Sequence, residues 1–157
     1  VDNAPKPVKE GIKKEEAEEI KKKLSDCMPK DIVITGVASP VYKAKEIKSA
    51  VYDIELFDCN DIFDSIKSFF AKDSVITEKK TKKGIIKQID IAPDILEVSF
   101  FESADSVRLT LRLPAGSEHN INPSLVIKAL EKHCNREFCP VRITRTAVKT
   151  ADGKDFE

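Results

Sequence analysis

One strictly alternating segment, residues 107–113, constrains the fold of this chain more than any other feature. Apolar and polar residues follow one another there in single steps: Val107, Arg108, Leu109, Thr110, Leu111, Arg112 and Leu113. Because successive side chains of a strand point to opposite faces, this alternation predicts a β-strand with one buried face. Such a strand needs neighbouring strands and a covering layer, so we expect an open sheet roofed by helices.

Three segments have the apolar spacing of helices: residues 13–28, 60–72 and 122–135. Their apolar residues recur three and four positions apart, which places them on one helical face. The second segment begins at Asn60, a favourable N-cap residue. The third begins at Asn122, and Pro123 takes the first helical position, where a missing N–H costs nothing. These segments predict the helices that cover the sheet.

Seven segments are rich in β-branched or alternating residues and predict strands: residues 31–37, 47–57, 74–80, 85–91, 95–101, 107–113 and 141–148. The resulting order is α-β-β-α-β-β-β-β-α-β. We interpret it as an α+β fold with a mostly antiparallel sheet and three helices. It would comprise a ferredoxin-like βαββαβ-type unit, with its opening strand missing or irregular, followed by ββαβ. We expect residues 1–12 to be a flexible lead-in, 13–150 a single domain and 151–157 a polar tail.

The charge balance limits the functions open to this chain. Its 27 basic and 27 acidic residues give a net charge of zero, whereas a generic polyanion binder usually carries a basic excess. Any nucleic-acid role therefore depends on a local patch. No apolar stretch approaches the ~20 residues of a membrane span, and the polar N-terminus has no signal-peptide pattern. We therefore expect no membrane partner and a cytoplasmic location.

The loop that precedes the third helix is the first candidate site, with Gly116, Ser117, His119, Asn120 and Asn122 as its candidate residues. A strand-to-helix junction directs backbone N–H groups at one point, and glycine allows a ligand to approach the backbone. This pattern is typical of an anion or carboxylate site. The alternative is a loop with a well-formed helix cap, which Asn122 and Pro123 explain by themselves.

A basic hairpin tip is the second candidate, and its lysines are Lys79, Lys80, Lys82, Lys83 and Lys87. A protruding lysine-rich hairpin can bind RNA phosphates, with affinity that falls as salt increases. No aromatic residue is interleaved with these lysines, so base stacking is unsupported. The alternative is that the lysines keep the edge of a sheet soluble and unpaired.

Two arginines of the last predicted strand form the third candidate. Arg145 is expected on the same side as Val141 and Ile143, and an arginine on an apolar face needs a partner. Asp90, at the end of another predicted strand, is one possibility, and an arginine-lined pocket is the other. Arg142 is a further candidate for phosphate contact.

Catalytic and metal-binding patterns are not found in the sequence. There is no nucleophile elbow, HExxH, phosphate-binding loop or GxGxxG. His133, Cys134 and Cys139 lack the ligand spacing of a zinc ribbon. We therefore predict no catalytic residues, no cofactor and no metal site.

Several short motifs resemble one protein family: Asp90–Pro93, Leu111–Ser117, Asn120–Pro123 and Ile143–Ala147. They are similar to the C-terminal part of the radical SAM-associated DUF2344 family, and residues 13–57 resemble the middle of that domain. The resemblance implies an accessory role, since members are fused to, or encoded beside, radical SAM proteins. It transfers no catalytic residues. Members usually carry a further N-terminal segment with Ser-His-Leu-Asp-like and Asn-Pro-His-Pro-like motifs, and its lack here implies a fragment or a lost part.

Two functional hypotheses follow. The first is a non-catalytic accessory domain that docks on a radical SAM enzyme, or presents its substrate, through the 116–122 loop, Asp90 and Arg145. The second is a small RNA-binding domain for RNA modification or processing, in which the lysine-rich hairpin, Arg142 and Arg145 contact phosphate. An independent enzyme would need a pocket of carboxylates or lysines with displaced pKa values, and nothing in the sequence singles one out.

Overall fold

A computed structural model describes residues 11–156 of the chain. These residues belong to two compact units that divide between Val41 and Tyr42. Residues 1–10 of the predicted flexible lead-in lie outside the described residues. No helix within the described part of the chain is both long and apolar enough to cross a membrane.

Among its described residues, 11–41, the first unit contains one helix, α1 (Lys14–Cys27). The Glu16 carboxylate accepts the Lys13 N–H at 3.1 Å and closes the first turn. The helix predicted over 13–28 is confirmed. The strand predicted over 31–37 is wrong, because no strand forms there. A β-branched composition indicates only that residues would pack well in a sheet. Residues 31–37 have no partner strand among the described residues, so their composition does not lead to a strand. Val33 of this segment is 77% exposed.

Within the described part of the second unit, residues 42–156, there are six strands and two helices. In chain order they are β1 (Ile47–Phe57), α2 (Phe63–Phe70), β2 (Ile76–Lys80), β3 (Ile86–Asp90), β4 (Glu97–Glu102), β5 (Ser106–Pro114), α3 (Pro123–Cys134) and β6 (Val141–Thr150). Single 3₁₀ turns precede β1, α2 and β4. Each of these strands and helices corresponds to a predicted one, with shifts of a few residues at the ends.

The strands form a four-stranded sheet in the order β4-β5-β1-β6 and a separate two-stranded sheet, β2-β3. All of these pairs are antiparallel. The predicted α+β class with three helices and mostly antiparallel sheet is confirmed, and the arrangement is compatible with a ferredoxin-like fold. The ferredoxin-like unit was expected to begin near α1 and to lack its opening strand, but the structure places it elsewhere. The elements β1-α2-β4-β5-α3-β6 form one βαββαβ unit that β1 opens, and the β2–β3 hairpin is inserted between α2 and β4.

The four-stranded sheet buries one face under α2 and α3. Leu109 and Leu111 of β5 lie opposite Ile54 and Tyr52 of β1, which fixes the alternation across the sheet centre. The fully buried side chains of this layer come from both strands and both helices, and they include Ile54, Leu56, Ile66, Leu109, Leu111, Leu113, Val126 and Leu130. The opposite face carries polar residues of β1, β5 and β6, among them Asp53, Glu55, Thr110 and Arg142.

Candidate functional site

The loop between β5 and α3 is held by main-chain hydrogen bonds at both ends. Ala115 pairs with Asn120 in a short antiparallel bridge. The Gly116 N–H donates to the His119 carbonyl at 2.9 Å, and the Ala115 N–H donates to the Lys48 carbonyl at 3.0 Å. The loop therefore continues the β1–β5 ladder as a tight turn.

Gly116 lies close to the backbone of β1. A Cβ at this position would lie 3.1 Å from the Ile47 carbonyl oxygen, which is tighter than ordinary van der Waals contact. The close approach expected at this glycine is thus made by a strand of the same chain.

The start of α3 has the predicted cap. The Asn122 side chain accepts the Ser124 N–H at 2.9 Å, and the Asn122 carbonyl accepts the Leu125 N–H at 2.9 Å. Pro123 has no N–H to offer. The donors of this first turn are satisfied within the chain, which supports the cap interpretation of the Asn122–Pro123 signal.

Two side-chain contacts join the loop to the segments around the β2–β3 hairpin. His119 Nε2 lies 2.7 Å from Asp94 Oδ1, just after β3. Lys79 of β2 donates from Nζ to the Asn120 carbonyl at 2.7 Å. The structure therefore brings one lysine of the predicted basic tip onto the predicted ligand loop. Ser117 is exposed.

Asp90 closes the base of the hairpin. Its Oδ1 accepts the Val75 N–H at 2.8 Å and the Ala92 N–H at 3.0 Å. These hydrogen bonds, the Val75 bond foremost, stabilise the carboxylate and lower the pKa of Asp90. Within the described residues no salt bridge joins Asp90 to Arg145, so the partner suggested for that arginine is not found.

Arg145 lies on the helix-covered side of β6, opposite Tyr52 of β1. Val141 and Ile143 lie opposite Leu56 and Ile54 in the same register, which confirms the predicted shared side. A bulge follows between Val51 and Tyr52 and leaves Arg145 exposed at the sheet rim.

A surface groove of about 650 Å³, here called the Arg145 groove, lies at this rim. It is lined by Ile47, Ala115, Arg145, Thr146, Ala147, Val148, Asp155 and Phe156. The chain after β6 folds back to form one wall, where the Phe156 N–H donates to the Val148 carbonyl at 2.8 Å. Asp155 is held by Lys149 at 2.9 Å. The structure thus joins Arg145 and the first residue of the loop, Ala115, in one groove.

The residues predicted for nucleic-acid contact are separated by the fold. Lys80, Lys82, Lys83 and Lys87 are exposed on the hairpin. Arg142 is on β6 of the other sheet, 3.7 Å from Glu55. The set is therefore divided between the two sheets.

The polar face of the four-stranded sheet carries paired charges. Glu55 lies 3.6 Å from Arg108 and 3.7 Å from Arg142. Beside it, Thr110 donates to Asp53 at 2.9 Å. The acidic side chains thus lie on the central strand β1 and compensate the flanking arginines.

Sequence reasoning missed a second groove, of about 540 Å³, between β2 and α3. Its lining comes from α2 and the segment after it, from β2 and β3, and from α3. The residues are Phe69, Lys72, Ser74, Val75, Ile76, Thr77, Glu78, Gln88, Lys128, Ala129, Lys132 and His133. We call it the β2–α3 groove. The signal in the sequence was the spacing of Lys128 and Lys132, which puts both on one side of a helix.

Fold and surface together define a ferredoxin-like α+β protein, and the described residues form at least two open surface grooves. The comparisons add a family. A family model described as "Uncharacterized protein conserved in bacteria (DUF2344)" matches residues 10–123. The chain therefore belongs to the DUF2344 family, as its motifs predicted.

Matches to curated proteins cover only a short part of the chain. The large ribosomal subunit protein bL12 of Aquifex aeolicus (strain VF5) is 77% identical over 27 residues, 17% of this chain and 21% of that protein. The bL12 protein of Geobacillus kaustophilus (strain HTA426) is 74% identical over 27 residues, 22% of its length. The chain thus spans about a fifth of the length of these relatives. No solved structure matches the chain.

Proposed function

We propose that this protein is a non-catalytic accessory domain that binds a radical SAM enzyme, by docking on it or by presenting its substrate. Membership of the DUF2344 family supports this proposal, because the motif resemblance implies radical SAM proteins as partners. The proposal takes the chain as the C-terminal part of that family's domain.

The observation that carries the proposal is the Arg145 groove. Arg145 is exposed and takes part in no salt bridge within residues 11–156. Ile47, Val148 and Phe156 line the groove with apolar surface. A free guanidinium beside apolar surface suits a protein segment with one carboxylate and a few apolar side chains, since arginine and aromatic residues are enriched in protein interfaces.

The polar residues of the neighbouring loop favour a binding role over a catalytic one. His119 is bonded to Asp94, Asn122 caps α3, and Asp90 accepts two backbone N–H groups. Each of these side chains is engaged in holding a segment in place, which suits a rigid binding surface.

The direct test is binding of the chain to a radical SAM protein, the class of partner that the family resemblance implies. Arg145→Glu should weaken the complex at least ten-fold, because it places a negative charge where the partner's carboxylate would lie. Lys83→Glu, on the exposed hairpin turn, is the matched charge-reversal control. A complex equally strong in both variants would contradict the role of the groove, and no complex with the wild-type chain would contradict the proposal.

One observation favours RNA binding as a second candidate. Lys80, Lys82 and Lys83 are exposed and none forms a salt bridge to another described residue. They surround a turn in which Gly84 adopts φ 79°, which only glycine adopts easily. RNA binding through this tip should fall steeply with salt, and a flat response between low and moderate salt would contradict it.

A further inference from the structure

The β2–α3 groove carries positive charge that the fold leaves uncompensated. Lys72, Lys128 and Lys132 line it, all three are exposed, and none forms a salt bridge within the described chain. Glu78 is the acidic residue among its lining side chains. The groove therefore has a net positive lining and suits an acidic occupant.

One of these lysines is held in position. Lys72 Nζ lies 2.9 Å from His133 Nδ1, and His133 Nε2 lies 3.2 Å from Ser68 Oγ. Ser68 in turn donates to the Ser65 carbonyl at 2.8 Å. An ammonium group can only donate, so Nδ1 accepts and Nε2 carries the proton that goes to Ser68. This chain of bonds fixes the ammonium of Lys72 at the end of the groove.

The groove also exposes a free strand edge. At the two ends of the hairpin, the Ile91 N–H donates to the Val75 carbonyl at 2.9 Å and the Thr81 N–H to the Ile85 carbonyl at 2.8 Å. In an antiparallel pair, main-chain groups point alternately toward and away from the partner strand. Ile76 and Glu78 therefore direct their N–H and C=O groups away from β3, and no other strand of the described chain pairs with β2. Both residues line the groove.

The spacing of the charges matches that of an extended peptide. Lys128 and Lys132 are four residues apart on α3, which corresponds to about 6 Å along the helix axis. Alternate residues of a strand are about 6.6–6.8 Å apart. The separation of the two lysines along α3 is thus close to that of every second side chain in a strand paired with β2.

We propose that the β2–α3 groove binds an acidic, extended protein segment that adds a strand to β2. The main chain of this segment pairs with Ile76 and Glu78, and its alternate carboxylates meet Lys128 and Lys132. Strand addition of this kind takes its affinity from main-chain hydrogen bonds and its specificity from alternate side chains. The site shares no lining residue with the Arg145 groove, so it does not depend on the function proposed above.

A nucleic-acid strand suits this groove less well. The exposed carbonyls of Ile76 and Glu78 need donors, which a peptide backbone provides and a phosphate does not. The inner lining of Phe69, Val75 and Ala129 is buried and apolar, and suits apolar side chains between the acidic ones.

The test uses the whole chain and a blocked ten-residue peptide in which Glu and Val alternate, followed by amide chemical shifts. We expect saturable shifts at Ile76 and Glu78, and at least ten-fold weaker binding for the double variant Lys128→Glu, Lys132→Glu. Lys82→Glu, Lys83→Glu on the hairpin turn is the matched double control and should bind like the wild type. A peptide of alternating Lys and Val should not bind.

Three outcomes would overturn the proposal. The first is no shift at Ile76 or Glu78 up to millimolar peptide. The second is equal weakening in the two double variants, which would indicate general charge attraction. The third is that a ten-nucleotide oligouridylate binds the groove more tightly than the acidic peptide, which would assign the groove to RNA. Amide spectra of each variant check that the fold is intact.

Discussion

Leu111 provides the sharpest test of how the sheet is built. It lies at the centre of β5, opposite Tyr52 of β1 on one side and Val98 of β4 on the other, and its side chain is 0% exposed. Leu111→Ala removes three carbon atoms from this layer. At ~0.8 kcal/mol for each buried carbon group, the lost transfer free energy is about 2.4 kcal/mol. The cavity that remains raises the expected cost to about 3–5 kcal/mol.

Urea unfolding followed by far-ultraviolet circular dichroism measures this cost. The midpoint should fall while the slope with urea stays the same, because the variant exposes the same surface on unfolding. Leu96→Ala is the matched control, since Leu96 is 49% exposed just before β4, and it should cost less than about 1 kcal/mol.

The reasoning would be refuted by a Leu111→Ala loss below about 1.5 kcal/mol, because that value is less than the transfer term alone. Equal losses in the two variants would refute it as well. Either result would mean that residue 111 does not lie between the central strands and the helix layer.

Three further predictions concern the residues around the β5–α3 loop. The free energy of unfolding of the wild type should fall as pH decreases below about 4, because the folded state lowers the pKa of Asp90 and the stabilisation from its carboxylate is lost when the folded form takes up a proton. Asp90→Asn should flatten that part of the curve of stability against pH. An unchanged curve in this variant would contradict the role given to Asp90. Gly116→Ala should destabilise the chain by about 1 kcal/mol in urea unfolding, because the new Cβ presses on the Ile47 carbonyl 3.1 Å away; a more stable variant would show that this contact is relaxed. Asn122→Ala should cost about 1 kcal/mol through loss of the α3 cap, whereas Asn122→Asp should retain most of the stability, and equal losses would argue against the cap.

The sequence predicted the parts of the fold that depend on neighbouring residues. Asn122 followed by Pro123 is a local helix-start signal, and α3 begins at Pro123. The alternation at 107–113 sets the two faces of β5 by the geometry of a single strand. Residues 31–37 have strand composition without a strand, because pairing requires a partner that composition does not reveal.

Long-range pairing accounts for what the sequence could not predict. That β1 opens the βαββαβ unit follows from its pairing with β5 and β6, whose paired residues lie 49 or more positions further along the chain. The Arg145 groove combines β1, β6 and the segment after it with the loop after β5. Likewise, the bond between His119 and Asp94 joins two loops whose residue types give no sign of each other.

Among the proposed contacts, docking of a radical SAM enzyme in the Arg145 groove is the central claim, and hydrogen–deuterium exchange of the complex tests it most directly. With the enzyme bound, we predict slower exchange at residues 145–148 and 115–121, and unchanged exchange at the hairpin turn around Lys82. Protection confined to the hairpin turn, or no protection in β6 and the loop despite a stable complex, would contradict it.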